Sequence, residues 1–224
     1  MKITTKITSL LFTALLSLAL TACGGFTKED AATLVQGNLD SVYLNVNSPA
    51  YLELCETTEE ECIADYEASL NEEADSFFAE AEIDKSLIDE ATYARYVNFF
   101  GDIYKQSKYE VGEVTKSDDV FLVSVTVYPV DLSEIVSTDF YDAITAELVE
   151  KYSNGGSEEE LSRSFLVMLI DKFEKIADSV TYLDPVTLSV QVVPKTGDDD
   201  ESYYIIDEND FNTIANNMVY YGQY

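Results

Sequence analysis

Three cysteines, 43 carboxylates and no histidine set the chemistry open to this 224-residue chain. Without imidazole there is no Ser-His-Asp or Cys-His machinery, no imidazole general base and no histidine metal ligand. Cys55 and Cys62 lie seven positions apart around an acidic run, Glu56 to Glu61. They are candidates for a disulfide, for a metal pair or for two separate thiols. A bridge of that size contributes about 2–3 kcal/mol in the chain-entropy model, and the absence of C-x-x-C spacing argues against a redox motif. Asp198-Asp199-Asp200-Glu201 offers hard oxygens to calcium. It lacks the alternate ligand spacing and central glycine of an EF-hand, so a solvated turn is the expectation and no metal is assigned. Arg95 stands near the apolar stripe of its helix, between Ile88 and Phe99. It is a weak pocket candidate that could meet an acid at a cavity mouth, or simply pack its stem and extend its head into water.

The third thiol, Cys23, has a different setting. Lys2 and Lys6 precede an apolar run, Leu10 to Leu20, broken only by Thr13 and Ser17. As a helix that run spans about 16 Å, short of a hydrocarbon core of about 30 Å. Those flanks and that length fit a cleavable export signal over residues 1–22. The segment ends Leu20-Thr21-Ala22-Cys23-Gly24, which resembles the lipobox of bacterial lipoprotein signals. The resemblance implies diacylglycerol transfer to the Cys23 thiol, cleavage before it, and a palmitate-type chain on the new amino group. Two or more chains anchor stably where one binds only reversibly. With Cys23 committed to lipid, no third thiol or histidine remains to complete a metal site, and a Cys55–Cys62 disulfide in an oxidising compartment is favoured.

Loss of residues 1–22 removes Lys2, Lys6 and no acid, so the formal charge moves from −30 to −32. Such a field repels nucleic acid and anionic headgroups, and no nucleic-acid partner is expected. Apolar content of 46% argues against disorder despite the charge. Gly155-Gly156 precedes an acidic helix start and cannot cradle phosphate. There are 16 tyrosines and no tryptophan. Tyr203-Tyr204, Tyr220-Tyr221 and Tyr224 gather near the C-terminus as candidate binding surface.

The elements that must position these groups follow from period and caps. After a short tether at 23–27, Thr27 opens a helix with acids in its first turn and Val35, Leu39, Val42 and Val46 on one face. Asn45 to Pro49 ends it. Thr58 and Glu61 form a capping-box pattern for a second helix striped by Ile63, Tyr66, Leu70, Ala74, Phe77 and Ala81. A third spans about Ser86 to Gln106, with Ile88, Ala91, Tyr96, Phe99, Phe100 and Ile103 inward. The period then alternates: Tyr109 and Val111 begin one strand, Lys116 to Asp119 turn, and Val120 to Tyr128 return with Phe121, Val123, Val125 and Val127 on one face. Helices at 133–152 and 158–179 follow, the latter with Ser157 and Glu160 at its start. Strands at Val186–Val192 and Tyr203–Ile206 and a last helix carrying Phe211, Ile214, Ala215 and Met218 complete the chain.

This order predicts one α+β domain over 28–224, with N-terminal helices packed on an antiparallel, curved sheet and a helical pair inserted between strands. The early helices, Asp102-Ile103-Tyr104-Lys105 leading into Lys108-Tyr109-Glu110-Val111, and the hairpin after them resemble NTF2-like/cystatin-like folds. The whole is similar to extracellular lipoproteins of Gram-positive bacteria. The resemblance implies a lipid-anchored domain on the extracytoplasmic face of the cell membrane. The expected role is a non-enzymatic module that needs no cofactor and binds a small ligand, a peptide or an envelope protein. Alternatives are an enzyme of that fold using a buried carboxylate base, with none of the 43 acids singled out, and a structural envelope protein.

Overall fold

The computed structural model describes residues 19–20, 25–153, 155–196 and 202–222. Most of the expected export signal, Cys23, the acidic run 198–201 and Tyr224 lie outside them. Ala19–Leu20 (β1) is followed by α1 (Lys28–Leu39), α2 (Pro49–Leu54), α3 (Glu59–Glu80) and α4 (Glu90–Tyr104). The chain then forms the hairpin β2 (Lys108–Ser117) and β3 (Val120–Tyr128), the short β4 (Val130–Asp131), and α5 (Thr138–Lys151) and α6 (Glu158–Ala177). It closes with β5 (Thr181–Tyr182), β6 (Val186–Thr196), β7 (Ser202–Ile206), α7 (Glu208–Met218) and β8 (Val219–Tyr220).

Local chemistry decides where helices begin. Thr27, Thr58 and Ser157 each accept the N3 backbone N–H, while Asp30, Glu61 and Glu160 bond back to the cap residue. Helix interruptions are less visible in the sequence. The helix expected from Ser86 is a 3₁₀ turn (Lys85–Leu87) followed by α4, which starts afresh at Asp89, whose carboxylate accepts from Thr92 N–H at 2.7 Å. The helix expected from Ser133 likewise divides into a 3₁₀ turn (Ser133–Val136) and α5, capped by Ser137. Pro49, expected only to stop a helix, opens α2 behind the Ser48 cap.

The main sheet is antiparallel in the order β1-β7-β6-β3-β2. Phe121, Val123, Val125 and Val127 are fully buried on one face, as the alternation predicts, with Val190, Val192 and Ile206 beside them. The other face is wet: Ser124, Thr126, Thr187, Ser189 and Gln191 lie on it, and the hydroxyls of Thr126 and Thr187 meet at 2.9 Å. A register shift between Val111 and Val114 sets Gly112 and Glu113 against Ser124 alone, a bulge in the edge strand β2. A second, three-stranded sheet, β5-β4-β8, ties the end of the chain to its middle.

Helix placement departs from the expectation in one respect. α1 and α7 carry the main helix contacts with the sheet, whereas α3, α4, α5 and α6 pack on one another. Phe77, Phe78, Tyr96, Phe99, Phe100 and Phe173 interlock between those helices, with Phe99 and Phe173 stacked at 4.9 Å. Sidedness drifts at helix ends. Ile63 is 36% exposed, Ala91 is exposed, and Cys62 takes the inward position near the start of α3. Val46 is 53% exposed because a π turn (Asp40–Leu44) adds a residue per turn and Asn45 then turns left-handed at φ 53°.

Phe26, expected in the tether, is instead buried. It stacks on Tyr204 at 4.1 Å and meets the edge of Phe121 at 5.4 Å.

Candidate functional site

The π turn after α1 controls a cleft of about 440 Å³. Its lining comes from three places: Gln36, Asp40 and Leu44 from α1 and the π turn, Ser107 to Glu110 from the start of β2, and Tyr128 from the end of β3. That volume lies within the range of small-ligand sites. Gln36 and Asp40 stand one turn apart, so the Gln36 amide reaches Asp40 Oδ1 at 2.8 Å. Tyr109, across on the strand, donates its hydroxyl to the same oxygen at 2.6 Å. Desolvation, with that bond and the Asp40 charge adding to it, pushes the Tyr109 phenol far above its ordinary range. Tyr128 donates to Glu110 at 3.0 Å.

Two carboxylates therefore border the cleft, each with one oxygen engaged by a tyrosine. Lys108, the cation among the lining residues, is turned elsewhere: its ammonium sits 3.7 Å from the centre of the Tyr182 ring. No ion pair joins it to Asp40 or Glu110 among the described residues. Ser107 is 7% exposed and its hydroxyl has no partner among them.

Behind the cleft lies a buried acid. Glu73 on α3 is 4% exposed and accepts the Tyr104 hydroxyl. Burial raises its pKa to about 8, the Tyr104 bond opposes that rise, and Glu80 adds to it. Tyr43, carried by the same π turn as Asp40, packs edge-on against the Tyr104 ring at 5.7 Å. Its phenol feels the charge of Glu73, and that of Tyr109 feels Tyr43. Asp40–Tyr109 and Glu73–Tyr104 are thus two hydrogen-bonded pairs, with the Tyr43 ring packed against the second. Glu73 itself is not among the cleft-lining residues.

The residues singled out from sequence fall elsewhere. Arg95 spans α4 and α6, giving Glu174 a two-pronged contact at 2.8 and 2.6 Å and Asp171 a third bond at 2.6 Å. It is a clip between helices and does not line the cleft. Cys55 caps the end of α2 and Cys62 lies in the first turn of α3, with no disulfide between them. The C-terminal tyrosines divide between two sheets: Tyr204 is inward on β7 and Tyr220 is on β8. No helix among the described residues is long and apolar enough to cross a membrane.

Sequence signals for the cleft residues are uneven. Glu73 falls three positions after Leu70 and four before Phe77, squarely within the apolar stripe of α3. An acid on a buried face is the readable sign. Asp40 and Tyr109 are 69 positions apart and carry no such mark.

In fold, the chain is similar to YcdA of Bacillus subtilis. The superposition with the crystal structure of that protein, taken to be a lipoprotein, has a TM-score of 0.58 at 18% identity. It covers 85% of this chain and 56% of the other, so the chain spans little more than half of that structure's length. No family model matches the sequence, and no curated protein matches it.

Proposed function

We propose that the chain is a lipid-anchored lipoprotein on the extracytoplasmic face of the cell membrane. Its domain is a non-catalytic binding module, with the cleft between the π turn and the start of β2 as its ligand site. The lipobox-like Leu20–Gly24 segment and the fold shared with YcdA support the anchoring. An NTF2-like/cystatin-like relationship belongs to the same reading, supported by early helices leading into an antiparallel sheet.

The observation that carries the binding role is the pair of carboxylates, Asp40 and Glu110, held by tyrosine hydroxyls and without an ion-pair partner among the described residues. Each keeps a second oxygen for a ligand. Together with the field of a −32 domain, they favour a positively charged group, such as the amine of an amino sugar or a lysine side chain of an envelope peptide. Glucosamine, N-acetylglucosamine and a trilysine peptide test this by thermal shift and titration calorimetry. The cationic probes bind, and Asp40→Asn with Glu110→Gln abolishes the binding. Equal binding of the uncharged probe, or binding untouched by the double variant, sinks the assignment. Anchoring is tested by mass spectrometry of the membrane-extracted chain, which carries lipid on Cys23 and loses it in Cys23→Ala.

A second reading, an enzyme using a carboxylate base, draws support from Glu73. It requires a substrate to reach Glu73, which does not itself line the cleft. Turnover lost in Glu73→Gln with ligand binding retained would favour it.

A further inference from the structure

We propose that Phe26 fixes the orientation of the domain on the bilayer, so that the β2–β3 turn faces the lipid and the cleft is displayed away from it. This rests on the lipid-anchored reading of Cys23. One contact holds the processed chain close to that residue. Three positions after it, Phe26 is stacked on Tyr204 and wedged against Phe121. Three links of chain reach at most about 10 Å, so a lipid on Cys23 must enter the bilayer beside Tyr203 and Tyr204. Thr27 begins α1 at once with a capping box, leaving no slack beyond Phe26.

The groups at this end suit a headgroup region. Lys116 lies 4.6 Å from the centre of the Phe121 ring, and Lys195 is paired with Tyr203 across β6 and β7. Both lysines are exposed and can extend their ammonium groups to phosphate while their stems lie along the protein. Asp118 and Asp119 occupy the turn between β2 and β3 and limit how closely it approaches anionic lipid. Cleavage before Cys23 also removes β1, leaving the backbone edge of Tyr203 and Tyr204 open beside the membrane.

The cleft lies at the opposite end. Phe121 lies at the start of β3 and Tyr128 at its end, about 23 Å apart along the strand. α1 runs the same way, from the Phe26 slot to Asp40. The domain therefore holds its carboxylate-bordered cleft one strand length from the tether, open to ligands in the envelope.

The chain has no tryptophan, so a single introduced one reports depth without background. Ser117→Trp marks the turn end and Thr187→Trp, opposite Thr126, the cleft end; both native residues are exposed. The full-length gene is expressed in a Gram-positive host, and the lipidated product is reconstituted into phosphatidylcholine vesicles containing a nitroxide-headgroup lipid. Quenching is expected to be several-fold stronger for Ser117→Trp than for Thr187→Trp, and the difference narrows in a Phe26→Leu background. Equal or reversed quenching overturns the orientation. If mass spectrometry finds no lipid on Cys23, the anchoring reading fails by itself. Coupling the Cys23 thiol to a maleimide phospholipid, with Cys55 and Cys62 replaced by serine, then decides whether the Phe26 contact orients the domain.

Discussion

Glu73 accepts the hydroxyl of Tyr104 inside the helical layer, where the acid is 4% exposed and Tyr104 is 5% exposed. The pair joins α3 to the end of α4 beneath the cleft. A carboxyl in that setting holds its proton tightly, because ionisation would strand a charge among Tyr43, Tyr104 and apolar side chains with one phenol to solvate it.

The pH dependence follows from that raised pKa. In the unfolded chain Glu73 ionises near its ordinary 4.5, and in the fold near 8. Below the first value both states hold the proton and the contribution is fully present. Between the two values the folded state binds more protons, so stability falls as pH rises, by up to about 1.4 kcal/mol per unit. Above 8 that contribution is gone. Urea melts at pH 5, 7 and 9 should show the wild type losing a few kcal/mol across the series from this residue. Glu73→Gln, which keeps an acceptor for Tyr104, should flatten that part of the slope.

Gly37 should be intolerant for a reason opposite to the usual helix rule. A glycine-to-alanine change inside a helix commonly gains about 1 kcal/mol. Here a Cβ would lie 2.2 Å from Tyr51 Cδ2 and 2.5 Å from its Cβ, so the buried ring must leave its place against α1. Gly37→Ala should cost about 1–3 kcal/mol. Tyr51→Ala alone should also destabilise, and the double variant should be less unstable than the sum, measured by denaturant midpoints.

Arg95 should matter through its geometry more than its charge. The fork to Glu174 and the bond to Asp171 hold α4 and α6 together, but all three side chains are a third to a half exposed. Arg95→Lys keeps the charge, loses the planar fork, and should cost less than about 1 kcal/mol. The loss should shrink in molar salt, when exposed pairs are screened. Ligand binding at the cleft should be unchanged.

Cys55 and Cys62 are not joined in the structure, but on the lipid-anchored reading they face an oxidising compartment and should bridge there. The native chain should then lack the mass of two hydrogens and resist alkylation until reduced. Cys55→Ser should lower stability by about 2–3 kcal/mol under oxidising conditions. An unchanged mass, with both thiols alkylated without reductant, would refute the bridge.

Sequence alone determined what neighbours along the chain decide for one another. The boxes at Thr27, Thr58 and Ser157 are closed by acids three residues away. The buried face of β3 is written in Phe121, Val123, Val125 and Val127, because a strand turns alternate side chains the same way. The absence of histidine likewise excluded whole classes of catalysis from composition. Tertiary structure decided what depends on distant segments meeting. The approach of α1 to the hairpin joins Tyr109 to Asp40 across 69 positions, and the packing of α4 on α6 carries Arg95 to Glu174 across 79. Phe26, which looks like tether, is drawn into the core by two rings from β3 and β7. Those pairings leave no period in the chain. They are selected by which apolar faces bury each other, and the polar groups beside those faces find their partners only after the faces have closed.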